Sequence, residues 1–140
     1  MKPALKIFTL SLLLFNTIGA LYGGYNLTIY PDGSSLGLSI TLLQHSGFTD
    51  FFIPGLVLFI FNGLFGIITL LAVLFNTSRN SFFVLLQGVV LTGWIIVQII
   101  LIRTFSYFHA ILGCMGIALI IVGLAGIIKA SPRKQYQIDH

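Results

Sequence analysis

NLTIYPDGSSLGLSITLLQHSGFTDFF, residues 26–52, is the one long polar-containing stretch of this chain, and it holds Asp32, Asp50 and His45. On both sides the sequence passes into uncharged apolar runs, residues 7–25 before it and 51–75 after it. About 20 consecutive apolar residues is the length that crosses a bilayer as a helix. Two further runs, residues 82–102 and 107–128, complete a set of four. The expected fold is therefore an all-α membrane protein: an antiparallel bundle of four transmembrane helices, with a structured outer loop over residues 26–50. The connections Asn76–Ser81 and Arg103–Ser106 are short, which makes spans two, three and four antiparallel neighbours. A polar tail over 129–140 follows, in which Pro132 is expected to stop the last helix.

Composition agrees. Of 140 residues, 57% are hydrophobic and 7% charged. A soluble domain carries about 25% charged residues, so most of this exterior faces lipid. The formal charge of +4 does not point to nucleic acid, because the cations sit at the ends of apolar runs. They read as topology signals and contacts to anionic lipid. Lys2, Lys6, Arg79, Lys129, Arg133 and Lys134 fall on one side and Arg103 on the other. The positive-inside rule then predicts a plasma (inner) membrane protein with both termini cytoplasmic and the long loop outside. Lys2 and Lys6 before an apolar core, with Ile18-Gly19-Ala20 beyond it, also resemble a secretory signal. The run continues through Tyr22, however, and is read as an uncleaved span. The single cysteine, Cys114, is read as a packing residue.

Within the loop, Tyr30-Pro31-Asp32-Gly33 is a turn signal: proline presets φ, aspartate bonds nearby backbone, and glycine relieves the exit. Residues 35–42 alternate polar and apolar, as a strand would. Leu36, Ile40 and Leu43 equally fit one face of an interfacial helix. The helical reading, around Ser39–Gln44, is preferred, with the loop folded back as a lid on the bundle.

Polar side chains inside the spans turn inward. The third span carries Gln87, Trp94 and Gln98 on one helical face. The second offers Asn62 with Gly55, Gly66 and Thr69, and the first Asn16 with Ala20 and Gly23. Counted from the outer ends, Asn16, Asn62 and Trp94 lie roughly 12–16 Å deep. They are expected to form one buried cluster with Gln98 a turn above, serving either as interhelical glue or as a ligand pocket. His109, Gly113, Gly116, Ile120 and Gly123 form a ridge on the fourth span, suited to close packing in the bundle or to a homodimer seam.

The outer end gathers Asp32, His45, Asp50, Arg103 and His109, with Tyr107 nearby. Arg103 is expected to pair with Asp32 or Asp50 and clamp the loop. No metal-ligand spacing, hydrolase elbow or phosphate loop is present, so no metal and no cofactor is expected. No span has a charge in its middle, unlike ion-coupled transporters. Tyr30–Leu38, Phe48–Leu56 and, more weakly, Gly93–Gln98 resemble the outer loop and helices of a family of small, uncharacterised four-span bacterial membrane proteins. The resemblance implies this topology and carries no activity. The leading expectation is a non-enzymatic structural or accessory component, whose partners are the bilayer and either other membrane proteins or a second copy. The alternatives are a binder of a small amphiphile or lipid at Asn16, Asn62, Trp94 and Gln98, and an outer-face enzyme using His45, Asp50 or His109.

Overall fold

A computed structural model describes residues 2–44, 46–102 and 107–138, with the side chains of 101, 102, 108 and 130–138 excepted. Four helices carry the chain: α1 (Pro3–Ile29), α2 (Phe52–Leu74), α3 (Asn80–Ile102) and α4 (Tyr107–Ile138). Each contains a stretch long and apolar enough to cross a membrane. Among the described residues there is no strand.

α1 starts at Pro3, where a missing N–H costs nothing and φ is already helical. It runs past Tyr25 through residues that read as loop. Asn26 Nδ2 donates to Tyr22 O at 2.7 Å, and Thr28 Oγ1 to Gly24 O at 2.6 Å. Each polar side chain thus satisfies itself on its own helix and no longer competes with it. Pro31 follows the end of the helix. The turn at Tyr30–Gly33 forms as expected, with Gly33 N–H donating to Tyr30 O at 3.0 Å and Gly33 at φ 78°. Two 3-10 turns, Ser34–Leu36 and Ile40–Leu43, make the rest of the loop, so the helical reading of residues 39–44 holds in a tighter form. Leu43 and Phe51 are buried with Leu27, which seats the loop on the bundle end. Phe51 N–H donates to Pro31 O at 2.8 Å and ties the loop's two ends together.

α2 begins where Asp50 Oδ1 accepts from Phe52 N–H at 3.0 Å, satisfying one of the free amides of the helix start. Its middle is wider than an α-helix. Residues Leu58–Leu64 are π-helical, with Phe65 N–H reaching back to Ile60 O. α2 ends in a Schellman motif: Thr77 N–H donates to Ala72 O at 3.0 Å and Asn76 N–H to Val73 O at 3.2 Å. Asn76 supplies the left-handed residue, at φ 52°. Lys6 Nζ donates to Asn76 Oδ1 at 3.0 Å and Leu74 O at 3.3 Å, pinning the start of α1 to this turn. α4 does not stop at Pro132 but continues to Ile138. One proline removes one backbone bond, and Ala130, Arg133, Lys134 and Gln135 around it are strong helix formers.

The helices pair as two hairpins, α1 with α2 and α3 with α4, and contact is densest within each pair. Glycines set both seams. In the first, a Cβ on Gly24 would lie 2.7 Å from Phe59 N, and one on Gly55 would lie 2.5 Å from Leu27 Cβ. In the second, a Cβ on Gly88 would lie 2.7 Å from Ile120 N, and one on Gly123 would lie 2.5 Å from Leu85 N. The α4 ridge is therefore used inside the chain, against α3, except that nothing lies near Gly113. The hairpins meet more loosely, α2 on α3 and α1 on α4, around Leu13, Val73, Val84, Leu91, Ile95 and Leu119. Cys114 is exposed on the lipid-facing side and is not the packing residue its apolar surroundings suggested.

Candidate functional site

The looser contact between hairpins leaves room, and the polar side chains of the spans border it. Trp94 of α3 separates two cavities. The first, about 300 Å³, lies among all four helices and is bordered by Asn16, Ala20, Leu58, Trp94, Gln98 and Leu112. Phe15, Ile18 and Gly19 stand at its edge on α1. Phe15 and Ile18 are more than half exposed, so this edge opens sideways toward lipid. The second, about 330 Å³, lies between α2 and α3 under Phe48 of the loop, with Pro54, Asn62, Val90 and Trp94 in its wall.

Asn16 is 5% exposed, and its amide nitrogen has no hydrogen-bond partner among the described residues. It is the central residue of α1, 13 residues from each end, or ~20 Å along the helix. A buried amide without a partner in an apolar medium costs several kcal/mol (roughly 2–7 by reference state). Asn62, 1% exposed, is better served. Its Oδ1 accepts from Gln87 Nε2 at 3.4 Å, and Thr69 Oγ1 donates to Gln87 Oε1 at 3.4 Å. Both bonds are long and therefore weak. The Asn62 amide nitrogen also lacks a partner among the described residues.

The single cluster expected from helical spacing is thus two. Asn16, Trp94 and Gln98 share one cavity, while Asn62 shares the other with Trp94. The π-helical segment of α2 causes the split. Its extra residue per turn changes the phase between Gly55 and Thr69, so that Gly63 and Gly66 face Leu21 and Thr17 of α1 while Asn62 and Thr69 face Gln87 of α3. Gln87 and Thr69 were visible as polar positions on inward faces, but nothing in spacing alone pairs them.

At the loop end the expected clamp is not assembled from described residues. Arg103 and His45 lie outside them. Asp32 is bonded locally: its Oδ1 accepts from Ser34 N–H at 3.0 Å and Ser34 Oγ at 2.8 Å. Those two donors hold its carboxyl below the ordinary aspartate value. Asp50 is engaged by Phe52 N–H. His109 is buried in the first turn of α4. Among the described residues no three His, Cys, Asp or Glu side chains lie close enough to hold a metal ion.

No protein-family model, curated protein or solved structure matches this chain.

Proposed function

We propose that this chain is a multi-pass protein of the bacterial inner membrane, with both termini cytoplasmic, that binds a small amphiphile between its two hairpins. Sidedness rests on the excess of cations at the end of the bundle where α1 begins. Membrane and source rest on the resemblance of Tyr30–Leu38 and Phe48–Leu56 to four-span bacterial proteins. The observation that carries the binding reading is a cavity of about 300 Å³ among all four helices, bordered by the polar side chains Asn16, Trp94 and Gln98. A site meant only to glue helices would bond polar groups across them, as Gln87 does to Asn62 and Thr69 does to Gln87. A lateral mouth admits a ligand directly from the bilayer. The accessory-component reading draws on that same Asn62–Gln87–Thr69 network and does not conflict with ligand binding.

Native mass spectrometry of the protein released from mild detergent tests the proposal, with Gly19→Phe as the control. A Cβ on Gly19 would meet nothing within 4 Å, so the variant obstructs the mouth without disturbing a helix seam. Retention of lipid-sized masses by the wild type and their loss in Gly19→Phe is the expected result. Equal retention by both, or none by either, overturns it.

A further inference from the structure

We propose that the cavity between α2 and α3 is a second binding site, separate from the Asn16 cavity, and that it takes one hydrocarbon chain of a lipid from the leaflet on the loop side. The two sites are independent: this one stands whether or not the Asn16 cavity holds a ligand.

The wall decides the chemistry. Among the described residues it is almost wholly apolar, with Val57 and Phe61 of α2 facing Val90 and Val97 of α3. Its one amide, Asn62, is turned away from it. The Asn62 nitrogen is enclosed, and its Oδ1 accepts from Gln87 Nε2 at 3.4 Å. A polar headgroup placed here would lose its water with at most the Trp94 indole N–H to replace it. A hydrocarbon chain has nothing to lose.

The mouth and the depth decide the source. Ile53, Phe61 and Val97 border the cavity and are 54%, 52% and 44% exposed. They lie on helices long and apolar enough to cross a membrane, so the open side is continuous with the lipid-facing surface. Val97 and Val90 stand five and twelve residues before the end of α3 at Ile102, about 8 and 18 Å along the helix. A hydrocarbon core of about 30 Å gives each leaflet about 15 Å, so the cavity lies at the depth of the loop-side chains. Phe48 of the loop borders its upper end, and a chain enters from the side.

Width decides between a chain and a second copy of the protein. A volume of about 330 Å³ spread over ~10 Å of helix leaves a groove ~6 Å across, and a helix with its side chains needs about 10–12 Å. One acyl chain fits. Moving that chain out of the bilayer brings no hydrophobic gain, because lipid is as apolar as the wall. What it brings is contact: wall atoms facing a void forfeit their dispersion partners, and a flexible chain restores them. The headgroup stays outside, at the level of the loop.

Trp94 supplies the test, being the only tryptophan and the one residue that borders both cavities. Bromine quenches tryptophan on contact. The full-length protein is placed in vesicles of phosphatidylcholine brominated at mid-chain, and its fluorescence is compared with that in unbrominated vesicles. Val97→Phe lays a larger side chain across the mouth from an exposed position. Val57→Phe fills the cavity from α2. Gly19→Phe obstructs the other cavity and leaves this one open. Strong quenching in the wild type, mostly kept in Gly19→Phe and mostly lost in Val97→Phe and Val57→Phe, is the expected result. That pattern is independent of whether the Asn16 cavity retains a ligand, so the two sites fail separately. Quenching lost in Gly19→Phe but kept in the other two variants puts the chain in the Asn16 cavity and overturns the second site. Loss in all three shows one joined site and overturns it as well. Equal quenching in all four proteins reports bulk lipid along the edge of Trp94, and no quenching in the wild type reports a groove that is empty or covered by a second copy; either result ends the proposal.

Discussion

Substituting Gly123 by alanine probes the seam that gives the molecule its two-hairpin form. The new Cβ would stand 2.5 Å from Leu85 N and 2.7 Å from Leu85 Cα. Optimal contact is about 3.5–4.0 Å, so α3 and α4 must part by roughly 1 Å. These are backbone atoms and no side-chain rotation relieves them. A gap of that size forfeits a quarter to a half of each contact's well of about 0.1–0.2 kcal/mol. Over the roughly 40–60 atom pairs of one large buried side chain, the loss is about 1–6 kcal/mol before relaxation. Measured overpacking costs about 1–3 kcal/mol, and we expect about 2 for Gly123→Ala. Gly113→Ala is the matched control on the same helix, since its Cβ would meet nothing within 4 Å. Alanine's better helix propensity should leave that variant unchanged or up to about 1 kcal/mol more stable. Trp94 is the only tryptophan, so its fluorescence during titration with a denaturing detergent in mixed micelles reports unfolding directly. If Gly113→Ala proves the more damaging, or Gly123→Ala is neutral, the seam is not where it is placed here.

Three other outcomes follow from the same geometry. Gln87→Leu strands Asn62 completely and should cost about 1–2 kcal/mol, while adding Asn62→Leu should recover most of it. A double-mutant cycle in the same unfolding assay should give a coupling of about 0.5–1.5 kcal/mol, and zero coupling would remove the network. Lys6→Met loses the bonds to Leu74 O and Asn76 Oδ1. It should cost under about 1 kcal/mol yet speed hydrogen exchange of the 75–77 amides selectively, and uniform exchange would show the pin to be absent. The Asp32 carboxyl is held below the ordinary aspartate value of 3.8 by Ser34. Its contribution to loop order is therefore present above that value and lost as pH falls through the lower folded value. The Ser34 amide should stay protected at pH 4 and open below the folded pKa, whereas in Asp32→Asn its protection should not change across this range. A titration in which the wild-type amide opens above pH 4 contradicts the assignment.

The four spans were legible because charge-free runs of this length leave a chain no alternative in lipid. Their ends were not. Asn26 and Thr28 have the composition of a loop, and only their bonds to Tyr22 O and Gly24 O reveal them as helix. Pro132 misled in the opposite direction, since a stop signal is a cost that good neighbours absorb. The inward amides were identified by periodicity, but their partners were not. The decisive feature, the π-helical Leu58–Leu64, is absent from any local pattern in LFIFNGL and lies where Gly24 of α1 closely approaches Phe59. Lys6, read for its charge alone, turned out to hold a helix end.

The most direct measurement of the account is solid-state NMR on protein with ¹⁵N-labelled asparagine side chains, reconstituted with its co-purified lipids enriched in ¹³C. Contacts from ligand carbons to the Asn16 side chain and to Trp94 are the predicted result. An Asn16 nitrogen coupled only to protein carbonyls, with Trp94 packed against Leu58 and no ligand signal between the hairpins, would contradict it.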